Sequence, residues 1–276
     1  MSYPDPAVYD TLPKLLRHNA QAHPDEVALR LKEFGIWHET TWGEYLAKVR
    51  RIALGLKEMG VGAGDVVAMI GDNDVDWISF EIAAHAAGAM TLGVYRDALE
   101  EEVGYLVGYA AAKVVFAQDQ EQVDKLISLG DQVGSVERIV YSETRGMRTE
   151  TDPRVVDLAA LEQRGDELHR ADPAAFDALV DATSGDAVAI LCTTSGTTSN
   201  PKLAMLPHGR FIRHVITYLK ADPKDHTDEY VSVLPLPWIM EQIYCVGFGL
   251  VARMTVNFPE SEGTMFQDLR EIGPTF

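Results

Sequence analysis

A chain of 276 residues that is 46% hydrophobic can bury a sizeable core, which excludes disorder as its main state. Its formal charge of −18 excludes a nucleic-acid-binding surface, which would need clustered Lys and Arg. A polyanionic ligand would have to be held by local donors, because the global field repels it.

In chain order, a helix is predicted over 12–20, with Leu12, Leu15 and Leu16 on one side, and strands over 26–31 and 35–40 read as a hairpin. Thr41-Trp-Gly-Glu44 is a capping box, in which the Thr hydroxyl and the Glu carboxylate each satisfy an orphan backbone N–H. Trp42, Tyr45, Val49, Ile52, Ala53, Leu56 and Met59 follow at helical spacing, and Gly60 supplies the stop. Lys48, Arg51 and Lys57 lie on the opposite face, which reads as solvated, with peripheral membrane contact or an acidic partner as the alternative.

From Val66 onward, strands at 66–70, 91–95, 113–117 and 138–141 alternate with helices at 75–87, 99–111 and 119–129, and 71–74 reads as a turn and cap. That alternation predicts an α/β protein with largely parallel sheets flanked by helices on both faces. The polar stretch 142–153 reads either as a surface loop or as an internal seam. Helices are expected over 155–164 and 173–182, then a buried strand over 187–192.

That strand delivers residues 193–202, Thr-Thr-Ser-Gly-Thr-Thr-Ser-Asn-Pro-Lys. The hydroxyls donate O–H, Gly196 lets backbone N–H groups approach closely, and Lys202 brings a mobile positive charge, so the loop suits phosphate oxygens. It is not G-x-x-x-x-G-K-[ST], because Pro201 precedes Lys202 and Leu203 follows it. It resembles instead the Thr-Ser-Gly-Thr-Thr-Gly-x-Pro-Lys-Gly loop of the adenylate-forming superfamily, matching at Thr194, Ser195, Gly196, Thr197, Thr198, Pro201 and Lys202. Ser199 and Leu203 depart, standing where that family usually has glycine.

Further on, a strand over 202–205, a helix over 208–220, strands over 230–234 and 254–258, and helices over 239–252 and 264–272 are expected. His208 falls on a histidine that often follows the loop in the superfamily; it is read either as a ligand contact or as a structural residue of the helix start. Residues 234–242, Leu-Pro-Leu-Pro-Trp-Ile-Met-Glu-Gln, resemble a Leu-Pro-Leu-Ala-His-x-x-Glu-Arg segment of the long-chain acyl-CoA synthetase branch, with Trp238 and Gln242 replacing its His and Arg. Trp238, Ile239 and Met240 read either as the wall of an apolar slot for an alkyl tail or as the core face of a helix.

The resemblance implies a two-step parent reaction: a carboxylate attacks the α-phosphorus of ATP, then the thiol of coenzyme A takes the acyl group. Thr194, Ser195, Gly196, Thr197, Thr198 and Lys202 would hold the phosphates, with the Thr194 hydroxyl near Mg²⁺. The resemblance also implies an incomplete N-terminal AMP-binding domain, because the superfamily's Tyr-Gly-x-Thr-Glu and Tyr-x-Thr-Gly-Asp segments and its C-terminal domain with the catalytic lysine are not found in residues 1–276. The fragment alone is then expected to be inactive. Two rival readings are an adenylating ligase for aryl or amino acids or for a carrier protein, and a non-catalytic nucleotide-binding module.

Cys192 and Cys245 stand at no metal or redox spacing, and the eight histidines form no pair or carboxylate cluster at metal spacing. A reduced, cytoplasmic protein with buried structural thiols is expected, since the N-terminus has no signal-peptide pattern and no apolar run is long enough to span a membrane.

Overall fold

The computed structural model describes residues 3–194 and 201–276. The chain begins with helix α1 (Leu12–Ala22), the hairpin of β1 (Val27–Glu33) and β2 (Ile36–Thr41), and helix α2 (Trp42–Glu58). The capping box at its start is complete: Glu44 N donates to Thr41 Oγ1 at 3.2 Å and Thr41 N donates to Glu44 Oε2 at 2.8 Å. The alternating part follows as β3 (Val66–Ile70), α3 (Val75–Ala86), β4 (Met90–Val94), α4 (Glu100–Tyr109), β5 (Val114–Ala117), α5 (Gln120–Ser128) and β6 (Arg138–Tyr141). Asp74 and Asp119 cap α3 and α5 by accepting from backbone N–H groups of the first turn.

A correction falls at 155–164, where a helix was expected from the first residue. Val155–Asp157 is instead a strand, β7, and the helix α6 runs from Leu158 to Ala171. Val155 and Val156, β-branched and stiff, pair with Ile139 and Val140 of β6, and Asp157 then caps α6 through Ala159 N at 2.8 Å. The polar stretch 142–153 therefore joins two neighbouring strands of one sheet.

The remaining elements are α7 (Ala175–Ala182), β8 (Val188–Thr194), β9 (Lys202–Pro207), α8 (His208–Ala221), β10 (Glu229–Val231), α9 (Ile239–Glu241), a π-helical turn (Gln242–Phe248), α10 (Gly249–Ala252), β11 (Thr255–Phe258) and α11 (Met265–Ile272). Two sheets result. One has seven strands in the order β7-β6-β5-β3-β4-β8-β9, parallel throughout except for β9. The other has four, β10-β11-β1-β2, with only β2 antiparallel to its neighbour. Helices cover the large sheet on both sides: α1, α2, α3 and α8 bury their apolar faces in one core, α4 and α5 in a second. β3 is buried along its whole length, as its unbroken apolar sequence requires of a central parallel strand. Among the described residues no helix is long and apolar enough to cross a membrane.

The basic face of α2 is not simply solvated. Lys48 pairs with Asp76 and Glu162, and Arg51 with Glu162, so two of its three cations tie α2 to α6 and α3. The α2–α6 contact is close enough to need glycine on both helices. A Cβ on Gly55 would stand 2.5 Å from Leu161 Cδ1, and one on Gly165 only 1.8 Å from the carbonyl oxygen of Arg51. Gly165→Ala would gain about 1 kcal/mol of helix propensity, but the clash is with main chain, which cannot rotate away. The substitution is expected to destabilise the protein by about 1–3 kcal/mol net, read as a lower urea midpoint. An unchanged or higher midpoint would show that the helices can separate freely.

Candidate adenylate-forming site

β8 runs parallel to β4, with Thr91 opposite Ile190 and Leu92 opposite Leu191, and then pairs antiparallel with β9 as far as Thr194 opposite Lys202. The two ends of the predicted phosphate loop are thus side by side, and Thr194 Oγ1 donates to Lys202 O at 3.3 Å. Thr194 and Lys202 are both exposed. Ser195, Gly196, Thr197, Thr198 and Ser199 lie outside the described residues. The stem is also held from α4, where Tyr105 OH donates to Pro201 O at 3.0 Å while its ring stacks on Tyr109 at 5.5 Å. The loop leaves the carboxyl end of a parallel strand, which is where open α/β sheets bind ligands.

The second motif lies against the same end of the sheet. Pro237 touches Gly93 of β4 at a separation that leaves no room for a side chain: a Cβ there would meet Pro237 Cα at 2.7 Å. The segment is therefore a turn over 232–238, and the strand expected over 230–234 ends early, at Val231. Ile239 and Met240 are partly buried against the main core, whereas Trp238 is 44% exposed. An open cleft of about 1250 Å³ runs along the ends of β3, β5 and β6 and has Leu234, Pro235 and Pro237 in its wall.

Side chains beneath the turn form a buried polar network. Tyr230 OH and Ser232 Oγ each donate to the Glu241 carboxylate at 2.5 Å. Gln242 Nε2 donates to Leu236 O at 3.0 Å and to Glu81 Oε2 at 3.2 Å. Asn73, after β3, donates to Ser232 Oγ at 2.8 Å and Leu234 O at 2.6 Å, and accepts from Leu236 N at 2.9 Å. Sequence reasoning missed these partners. The signal for Glu81 was a lone carboxylate in an apolar helix; Asn73 was hidden in a run read only as a turn and cap.

Burial pushes the Glu81 carboxyl up to about 7, although Gln242 and Thr91 hydrogen-bond to it, and likewise pushes Glu241 up to about 7 against its bonds from Ser232 and Tyr230. His208 is buried, which lowers its imidazole to about 3; its Nδ1 accepts from Leu12 N at 3.4 Å and its ring meets that of His85 edge-on. Burial also raises the Cys192 thiol to about 11, so it stays protonated near neutrality, as a structural thiol does.

The chain belongs to the AMP-binding enzyme family, whose model matches residues 16–276. It is similar to the long-chain-fatty-acid–CoA ligase ACSBG1 of Homo sapiens, at 26% identity over 273 residues that cover 96% of this chain and 37% of that protein. It is also similar to the long-chain-fatty-acid–CoA ligase ACSBG2 of Xenopus laevis, at 24% identity covering 96% of this chain and 36% of that protein. The chain spans between a third and two fifths of the length of these relatives. In fold it matches the N-terminal domain of FACL13 from Mycobacterium tuberculosis, solved with an inhibitor, with a TM-score of 0.76 at 18% identity over 95% of this chain and 60% of that one. It also matches the A domain of a carboxylic acid reductase from Segniliparus rugosus, solved with AMP and a co-purified carboxylic acid, with a TM-score of 0.72 at 20% identity over 99% of this chain and 50% of that one.

Both buried carboxyls have folded-state values near 7, above the ordinary value of 4.5. Between those limits the folded state holds more protons than the unfolded chain, so their contribution to stability is present at low pH and is lost as pH rises toward 7. Each contribution is on the order of 3 kcal/mol. Glu81→Gln and Glu241→Gln are each expected to flatten the fall in urea midpoint between about pH 5 and pH 7.5. Slopes equal to that of the parent would contradict the assignment.

Proposed function

We propose that residues 1–276 are the N-terminal portion of an ATP-dependent acyl-CoA synthetase acting on long-chain fatty acids. The observation that carries this reading is the match of the AMP-binding family model over residues 16–276 together with the phosphate-loop sequence on the β8–β9 hairpin. The names of the curated relatives, long-chain-fatty-acid–CoA ligases, support coenzyme A as acceptor and a long-chain acid as substrate. The absence of any motif-spaced cysteine pair supports a reducing, cytoplasmic setting.

In this reading a carboxylate oxygen attacks the α-phosphorus of ATP, the bond to the bridging oxygen breaks, and pyrophosphate leaves with the electron pair. The thiol of coenzyme A then attacks the acyl carbon, giving up its proton, and AMP departs. Negative charge builds on the leaving pyrophosphate, so the protein's task is to position and to stabilise charge. Ser195, Thr197 and Thr198 donate hydroxyls, the backbone at Gly196 donates N–H, and Lys202 adds a cation to the β- and γ-phosphates. With a net charge of −18, these local donors must outweigh a repulsive global field.

Mg²⁺ favours a few oxygen ligands from the protein beside phosphate oxygens and water, and the exposed Thr194 hydroxyl fits as one such ligand. Among the described residues no group of three His, Cys, Asp or Glu forms a metal cage. When bound, the ion would neutralise phosphate charge. In this reading Trp238, Ile239 and Met240 belong to the acyl side of the site, where the exposed Trp238 indole offers an apolar surface to an alkyl tail.

Lys202→Ala, made in the product of the complete gene, is expected to lower carboxylate-dependent ATP–pyrophosphate exchange by about 10²–10³-fold. An unchanged rate would remove the lysine from the mechanism. Residues 1–276 purified alone are expected to form no acyl-CoA, because the segments that the resemblance assigns to ribose, magnesium and the second step are not among them. Measurable thioester from that polypeptide would overturn this expectation.

A further inference from the structure

Beyond Ser232, whose N donates to Asn257 O of β11 at 2.9 Å, the turn over 232–238 has left both sheets among the described residues, yet it must present its side chains at a fixed place beside the phosphate-loop end of the large sheet. Its other end is tied by Trp238 N, which donates to Pro235 O, and Gln242 Nε2 donates to Leu236 O, but its middle, Leu234 O and Leu236 N, is held by one side chain from a distant part of the chain. Asn73, in the connection between β3 and α3, uses its carboxamide as a three-way clamp: Nδ2 donates to Ser232 Oγ and to Leu234 O, and Oδ1 accepts from Leu236 N. Ser232 passes the constraint on, because its hydroxyl donates to Glu241 on the helical run that follows the turn. The far end of the turn is seated on β4 by the contact of Pro237 with Gly93. A planar amide is the right group for this task, since it carries both a double donor and an acceptor in fixed geometry.

We propose that Asn73 is a positioning residue that sets affinity for the carboxylate substrate. It does so by locking the turn that carries Trp238, without itself touching the reacting atoms. The inference rests on the acyl-CoA synthetase reading and on the assignment of Trp238, Ile239 and Met240 to the acyl side. ATP is held by a different element, the β8–β9 loop, whose stem is fixed by Tyr105 and by strand pairing. The two substrates should therefore respond differently when the clamp is cut.

The experiment uses the product of the complete gene. Asn73→Ala removes all three bonds; Asn73→Asp keeps an acceptor for Leu236 N but loses both donations; Ser232→Ala cuts the link to Glu241. In pyrophosphate exchange with a long-chain fatty acid, Asn73→Ala is expected to raise the carboxylate KM about tenfold with ATP KM and kcat within about twofold. Asn73→Asp is expected to fall between Asn73→Ala and the parent. Hydrogen–deuterium exchange supplies a readout that does not depend on turnover: amides of 232–238 should exchange faster in all three variants, with β3 and β8 unchanged. Equal protection of 232–238 in variants and parent would overturn the clamp, and so would a carboxylate KM that stays at the parent value or an ATP KM that rises in parallel. If the parent exchanges no pyrophosphate with any carboxylate while the turn still loosens in the variants, the enzymatic reading fails, taking the substrate role with it, and the clamp itself stands.

Discussion

The carboxyl end of β4 has to come within contact distance of the 232–238 turn, and only glycine at position 93 permits it, because any Cβ would stand 2.7 Å from Pro237 Cα. Much of the site's geometry follows from that approach. β4 pairs on one side with β3 and on the other with β8, so the same strand end that seats the turn also aligns the strand that delivers the phosphate loop. The β8–β9 hairpin and the 232–238 turn, to which the proposed function gives the nucleotide and the acyl group, are thereby brought to one end of the sheet.

The electrostatics are consistent with this division. The chain's large negative charge gives no general attraction for a polyanion, so in the proposed reading ATP binding rests on the short-range donors of a loop and one lysine. Beneath the turn the problem is the reverse. Among the described residues no cation pairs with buried Glu81 or Glu241, and their carboxyls are held near 7 because the interior penalises the charged form more than the surrounding hydroxyls and amide offset. A protonated carboxyl can donate as well as accept, which suits a network built from Tyr230, Ser232, Gln242 and Thr91.

Much of the fold was legible in the sequence where the governing interactions are local. The capping box at Thr41 and Glu44, the alternation of apolar strands with helices from Val66, and the stop at Gly60, whose φ is +82°, all depend on neighbours a few residues away. The family was legible because a phosphate loop needs hydroxyls, glycine and lysine in a tight pattern. The missed strand Val155–Asp157 shows the limit: three residues carry too little periodicity, and its partner β6 decides its conformation. The Asn73 clamp and the Glu81–Gln242 bond were invisible for the same reason, since each joins residues about 160 positions apart and leaves no repeat to detect. Lys48 and Arg51 looked like a solvated face because nothing local reveals Glu162 across the helix pair.

The central claim is that a carboxylate oxygen attacks the α-phosphorus of ATP at the edge of this sheet. The most direct test is isotope transfer: a fatty acid with both carboxyl oxygens labelled as ¹⁸O is incubated with ATP, Mg²⁺, coenzyme A and the product of the complete gene, and the released AMP is weighed by mass spectrometry. Attack by the carboxylate leaves the label in the bridging position, and expulsion of AMP by the thiol carries it away, so the account predicts AMP containing a single ¹⁸O. Acyl-CoA formed together with unlabelled AMP, or no AMP at all with any carboxylate tried, would contradict it.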